Sequence, residues 1–214
     1  DRLDNKDVYA ICDGNVAVEV HFLDAIAHKW LSPFHYYGIR DEIDYAQIRW
    51  LGTGYDEEQL TAAQLQEDVV KKIFDNWLKH KQTRTIGFCS AVKQATYLTN
   101  YFARQGVKAE VLTGGNTRGE RKTIREQLIH GEIDIIFTVD LFNEGVDIPE
   151  INTILFLRPT DSLTVFLQQL GRGLRLSEGK ECLTILDFIG QANKKYSFEN
   201  KFSALLSDSG KSVQ

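Results

Sequence analysis

The sequence predicts an α/β protein: a parallel sheet flanked by helices, preceded by a mainly helical linking segment. From about residue 80 onward, short β-rich runs alternate with helical patterns, the order that strand-helix-strand crossovers require. Polar residues fall at or just past the ends of those runs, where parallel sheets gather ligands. The 214 residues, 43% hydrophobic and 26% charged, suffice for one substantial core and an additional subdomain.

Strands are expected over 84–89, 108–112, 134–138, 153–157 and 182–187, and helices over 91–105, 117–130 and 162–170. Upstream, amphipathic helices are expected over 18–31 and 57–80. The second turns Leu60, Val69, Val70, Ile73, Phe74, Trp77 and Leu78 toward a core. Between them, 32–50 is aromatic and acidic, with Phe34, Tyr36, Tyr37, Tyr45 and Trp50, and is expected to form short strands packing against the helices. An aromatic cluster can also stack bases, but core or interdomain packing is the stronger expectation here. The chain thus divides into a linking segment over 1–80, an α/β domain over 81–190 and a polar extension over 191–214 that is expected to fray.

Composition narrows the function classes. The longest apolar runs fall far short of the ~20 residues a transmembrane helix needs, so no membrane partner is expected. Cys12, Cys89 and Cys182 are odd in number and lack metal-ligand spacing, which points to a reduced, cytoplasmic setting. The absence of methionine fits a piece of a longer chain. A net charge of −5 gives no global attraction to nucleic acid, so any strand contact must be local. Arg118, Arg121, Lys122 and Arg125, or Lys71 and Lys72, form stripes that can help such contacts, although charged stripes on helices are mostly solvated faces.

Two motifs carry the chemistry. Residues 168–175 read Gln-Gln-Leu-Gly-Arg-Gly-Leu-Arg. On a helix, Gln168, Arg172 and Arg175 fall within roughly 60° of one another, opposite Leu163, Phe166, Leu170 and Leu174. The apolar side is core, and the guanidiniums offer charged planar forks suited to phosphoryl oxygens. Gly173 can end the helix and deliver Arg175 from a loop. Upstream, residues 138–149 read Thr-Val-Asp-Leu-Phe-Asn-Glu-Gly-Val-Asp-Ile-Pro, directly after an apolar run. Four strand ends carry Ser90, Thr113 with Gly114 and Gly115, Thr138, and Arg158.

In this order, the two motifs resemble motifs V and VI of superfamily two helicases and translocases. The resemblance covers about 81–190 and implies the second, C-terminal RecA-like domain of those enzymes, with a parallel sheet flanked by helices. Residues 32–50 resemble the stretch linking the two RecA-like domains. By this resemblance, Arg172 and Arg175 are arginine fingers reaching the γ-phosphate of ATP, and Gln168 positions that phosphate or its water. Gly145 and Asp147 approach the nucleotide ribose; on local grounds alone a helix-ending glycine and a capping aspartate explain them better, and the two flanking motifs turn the reading to function. Ser90, Thr138 and the backbone around Gly114 contact strand phosphates, and Ser90 also suits a cap for the helix that follows.

The chain has no Gly-x-x-x-x-Gly-Lys-Ser/Thr loop and no Asp-Glu-x-x box after an apolar strand. The resemblance therefore implies that the main ligands of ATP and Mg lie on an N-terminal RecA-like domain of the same parent chain, and that this chain alone is inactive. Glu144 and Gln168 depart from the arginine and histidine of the DEAD-box branch, which turns the expectation toward the branch containing DNA translocases, restriction-enzyme motor subunits and related DEAD/DEAH helicases of bacterial type. DNA is expected ahead of RNA as partner, but these two residues do not by themselves decide which nucleic acid is moved. The alternatives are a non-catalytic module of the same fold, and a Rossmann-like cofactor enzyme, for which Thr113-Gly-Gly lacks the required Gly-x-Gly-x-x-Gly.

Overall fold

Residues Thr85–Phe88, Ile135–Thr138 and Thr153–Phe156 are buried at every position. Runs with no solvent face belong inside a parallel sheet that is covered on both sides. The computed structural model describes residues 22–52, 54–139, 148–159 and 163–189. Its strands are β1 (Phe34–Arg40), β2 (Thr85–Phe88), β3 (Ala109–Leu112), β4 (Ile135–Thr138), β5 (Thr153–Phe156) and β6 (Leu183–Ile189). They form one sheet in the order β1-β6-β5-β2-β4-β3, and every neighbouring pair is parallel.

Helices cover both faces. These are α1 (Phe22–Ala27), α2 (Glu57–Gln64), α3 (Glu67–His80), α4 (Val92–Arg104), α5 (Arg118–His130) and α6 (Leu163–Gly173). On one face, Leu128 of α5 and Phe166 and Leu170 of α6 pack with Ile86, Ile136, Ile154 and Leu183. On the other, Val70, Ile73 and Trp77 of α3 and Leu98 and Phe102 of α4 pack with Ile135, Phe137, Leu155 and Leu186. Alternate residues of one strand thus feed opposite layers, as the two-residue period demands. At Gly87, in the middle of β2, an added Cβ would lie 2.8 Å from the Phe137 ring. Its absence lets that ring meet Phe102 at 5.0 Å between centroids. This is the expected α/β arrangement of a RecA-like domain.

The expected helix over 57–80 is two helices. Asp56 caps α2 by accepting from the Gln59 amide, and the helix stops at Leu65, where α3 restarts with Glu67 and Asp68 in its first turn. The break lets Gln64, 2% exposed, turn inward and donate to the Leu157 carbonyl at 3.1 Å. Leu78 does not reach the core and is 55% exposed, lying one residue beyond Trp77, whose indole is buried and donates to Thr85 Oγ1 at 3.0 Å.

The aromatic segment 32–50 does more than pack against helices: β1 extends the main sheet along β6, from Phe34 beside Leu183 to Arg40 beside Ile189. The Leu183 amide donates to the Pro33 carbonyl at 2.8 Å, and the Tyr36 hydroxyl donates to Asp187 Oδ2 at 2.5 Å. Within the expected helix over 18–31, the described helical part is Phe22–Ala27, and Lys29 adopts a left-handed φ of 58°. The helix expected over 162–170 continues through Gly173.

Candidate functional site

The predicted strand-contact residues share the carboxyl edge of the sheet. Because Phe88 and Leu112 both stand in register with Thr138, Ser90 and Gly114 follow at matching depth on either side of it. Arg158 follows β5, the neighbour of β2 on its other side. With strands about 4.8 Å apart, these positions span roughly 15 Å of one edge.

Ser90 lies in a closed polar ring. Its hydroxyl lies 2.5 Å from Gln64 Oε1 and 3.0 Å from Gln94 Oε1, one proton for two acceptors, while its amide donates to Gln94 Oε1 at 2.8 Å. Both glutamine amides donate back to the Leu157 carbonyl, at 3.1 and 3.5 Å. Gln64 and Gln94 are buried, so the ring joins α2, α4, β2 and β5 beneath the edge. Helix α4 is capped at Ala91 without a side-chain bond, so Ser90 is not its cap. Thr138 is buried, and its Oγ1 has no hydrogen-bond partner among the described residues. The Gly114 loop is tied by Arg121, whose guanidinium donates to the Gly114 carbonyl at 3.0 Å, and by the Thr113 amide, which donates to Asn116 Oδ1 at 2.8 Å. A capping box between Thr117 and Glu120 then starts α5, and those bonds hold the Glu120 carboxyl below its ordinary range.

Next to the ring is a cavity of about 360 Å³, open to solvent, that is lined by Asp41, Tyr45, Gln64, Lys72, Gln94 and Phe188 among others. Burial raises the Asp41 carboxyl above the usual range, opposed by the Tyr45 hydroxyl, which donates to its Oδ2 at 2.7 Å. Among the described residues no group of three His, Cys, Asp or Glu side chains is placed to hold a metal ion, and no helix is long and apolar enough to cross a membrane.

The arginine motif occupies the opposite edge. Helix α6 runs back against the strand direction, and Gly173 at its end lies over the first halves of β5 and β6. An added Cβ there would come within 2.6 Å of Ile154 and 2.8 Å of Leu183. Only glycine allows this approach. Gln168 is exposed, Arg172 half-buried, and Arg175 exposed and two residues past the helix. At about 3.3 Å per residue, four-residue strands hold the two edges roughly 13 Å apart, so Ser90, Gly114 and Thr138 stand at one edge and the arginine-bearing end of α6 at the other, with Gln168 about midway along the helix between them. Gly145 and Asp147 lie outside the described residues.

The backbone at the end of α6 is held firmly. Ser32 donates its amide to the Leu174 carbonyl at 2.8 Å and its hydroxyl to the Arg175 carbonyl at 3.2 Å. Lys180 Nζ donates to the carbonyls of Gly173, Arg175 and Pro149 at 2.5, 2.9 and 3.0 Å. Burial pulls the Lys180 ammonium down to about 8, with Glu150 opposing. Three carbonyl acceptors further favour its charged form.

Residues 66–177 match the family described as the helicase conserved C-terminal domain. The chain belongs to that family. Over 197 residues it is 26% identical to the Saccharomyces cerevisiae protein named "Putative ATP-dependent helicase IRC3", covering 90% of this chain and 28% of that one. It is 31% identical over 189 residues to the Schizosaccharomyces pombe "Putative mitochondrial ATP-dependent helicase irc3", covering 87% and 31%. The chain thus spans less than a third of either relative. The solved C-terminal domain of the DEAD-box protein Dbp5 superposes with a TM-score of 0.57 at 15% identity, covering 85% of this chain and 87% of that chain, a likeness of fold. This helicase C-terminal domain therefore has a RecA-like fold.

Three polar residues of the domain escaped sequence reasoning. Gln64 and Gln94 each sit on the buried face of a helix, beside Leu60 and Thr61 and beside Ala95 and Leu98, and a long amide among such neighbours is a readable signal. Lys180 has none, because its acceptors are set by the return of the chain after α6.

Proposed function

We propose that this helicase C-terminal domain is half of an ATP-dependent motor acting on nucleic acid, with its two sheet edges serving different ligands. ATP sits between the end of α6 and an N-terminal RecA-like domain of the same parent, which supplies the phosphate loop and the Mg ligands that this sequence lacks. ATP, when bound, supplies the transferable phosphoryl group. Arg172 and Arg175 offset the charge that develops on it, Gln168 positions the γ-phosphate or its water, and Gly145 and Asp147 approach the ribose. The donor set fits a polyphosphate: two guanidiniums on a backbone packed tightly against β5 and β6.

At the carboxyl edge, Ser90, Gly114 and Thr138 contact strand phosphates. Closing and opening of the cleft between the domains steps the protein along a nucleic-acid strand. The observation that carries the reading is the separation of arginines and strand-end donors onto opposite edges of one sheet, so that nucleotide and strand need not compete. Both relatives above carry ATP-dependent helicase in their names, which supports the reading.

The test uses the full-length parent. Arg172→Ala and Arg175→Ala should each lower ATP turnover by about 10³ to 10⁵, with a much smaller change in nucleotide affinity. Near-parental turnover in both would refute the assignment. The isolated chain should hydrolyse ATP no faster than buffer.

A further inference from the structure

A helix end leaves its last carbonyls without intrahelical partners and carries partial negative charge. At the end of α6, Lys180 meets that need with two of its donors and turns the third to the segment before β5. An ammonium has three protons, and Lys180 directs them at the carbonyls of Gly173, Arg175 and Pro149. Gly173 and Arg175 belong to the short run of backbone that leads from the first arginine to the second. Pro149 closes motif V and stands four residues ahead of β5.

We infer that Lys180 is a positioning residue for the arginine-bearing end of α6, a three-way tie that sets Arg175 relative to motif V. The inference rests on the reading of those arginines as the pair facing the γ-phosphate. Gly173 is pressed on its sheet side against Ile154 and Leu183, while its carbonyl is held by Lys180, so the backbone is fixed from two directions. Ser32 adds two bonds to the Leu174 and Arg175 carbonyls, but these come from the segment before β1 and do not reach motif V. Lys180 bonds to both motifs at once. Placement of a reacting group within about 1 Å is worth about a hundredfold in rate, which is the scale on which such a tie acts.

Lys180→Met keeps most of the side-chain stem and removes the three donors. In the full-length parent with saturating nucleic acid, it should lower kcat for ATP by about tenfold to a hundredfold while KM changes by less than about threefold. The double variant with Arg175→Ala should be no slower than Arg175→Ala alone, since a displaced arginine and a missing one fail alike. Lys180→Gln, with two donors and no charge, should show the same pattern and stands in if the methionine variant does not fold. A parental kcat in either folded variant, with Arg175→Ala slow, overturns the inference and leaves the arginine assignment standing. Losses that multiply in the double variant also overturn it, because Lys180 would then act on stability or on other groups. If Arg175→Ala itself keeps the parental rate, the arginine assignment fails, and Lys180 has nothing to position.

Discussion

The two edges of this sheet hold their polar groups in opposite ways. At the carboxyl edge, side chains are locked: Ser90, Gln64 and Gln94 close a ring on the Leu157 carbonyl, and Thr138 is buried as the last residue of β4. At the other edge the main chain is locked, by Gly173 against the sheet and by Lys180 and Ser32 on the carbonyls, while Arg175 lies at the surface. Substitutions in the Ser90 ring should therefore disturb folding along with binding. Substitution of Arg175, an exposed side chain past the end of α6, should lower turnover far more than it lowers stability.

Gln94→Ala is the sharpest way to expose that asymmetry. It strands the Ser90 amide and removes one of two donors to Leu157, and should cost about 1–3 kcal/mol in chemical denaturation. A cost no larger than that of Arg175→Ala would erase the contrast.

Thr138→Val probes the same edge with a smaller effect. The hydroxyl it removes is buried without a partner among the described residues, so stability should hold or rise by up to about 1 kcal/mol. In the full-length parent, affinity for a single strand should fall by about threefold to tenfold, the worth of one hydrogen bond to a phosphate oxygen. The salt dependence of binding should stay nearly parallel to the parent's, because its log-log slope of about 0.7 per phosphate follows neutralised charge and a hydroxyl carries none. An unchanged affinity in a binding titration would remove Thr138 from the strand site.

The smallest effect concerns Asp41, beside the ring. Its folded-state carboxyl is raised by burial, so its contribution to stability is fully present below the unfolded value and lost as pH rises through the raised one. Asp41→Asn should therefore be more stable than the parent at neutral pH, with the gain shrinking as pH falls toward about 4. Thermal melts across pH check this, and a gain that grows on acidification would contradict it.

What is set locally can be read from the sequence. The inner strands β2, β4 and β5 were legible because a short apolar run with no polar face has few other places to go. β1 was not legible as part of the sheet, since an edge strand with mixed exposure looks like any aromatic connection until β6, on the far side of the whole α/β alternation, arrives to pair with it. The break between α2 and α3 was hidden for the same reason: Gln64 finds its acceptor 93 residues downstream. In the candidate site, the spacing of Gln168, Arg172 and Arg175 and the strand-end positions of Ser90 and Thr138 could be read directly. Their division between two edges follows from the β5-α6-β6 crossover, and the partners of Ser90 and the carbonyl tie of Lys180 depend on tertiary packing alone.

The central claim, one edge for nucleotide and the other for the strand, is tested most directly by a crossed comparison in the full-length parent. ATP turnover at saturating nucleic acid and strand affinity are both measured for Arg172→Ala and for Thr138→Val. The account predicts that Arg172→Ala loses at least about 10³ in turnover with strand affinity little changed, and that Thr138→Val loses strand affinity while keeping near-parental turnover once the strand is saturating. Parallel losses of both quantities in both variants, or near-parental turnover in Arg172→Ala, would contradict it.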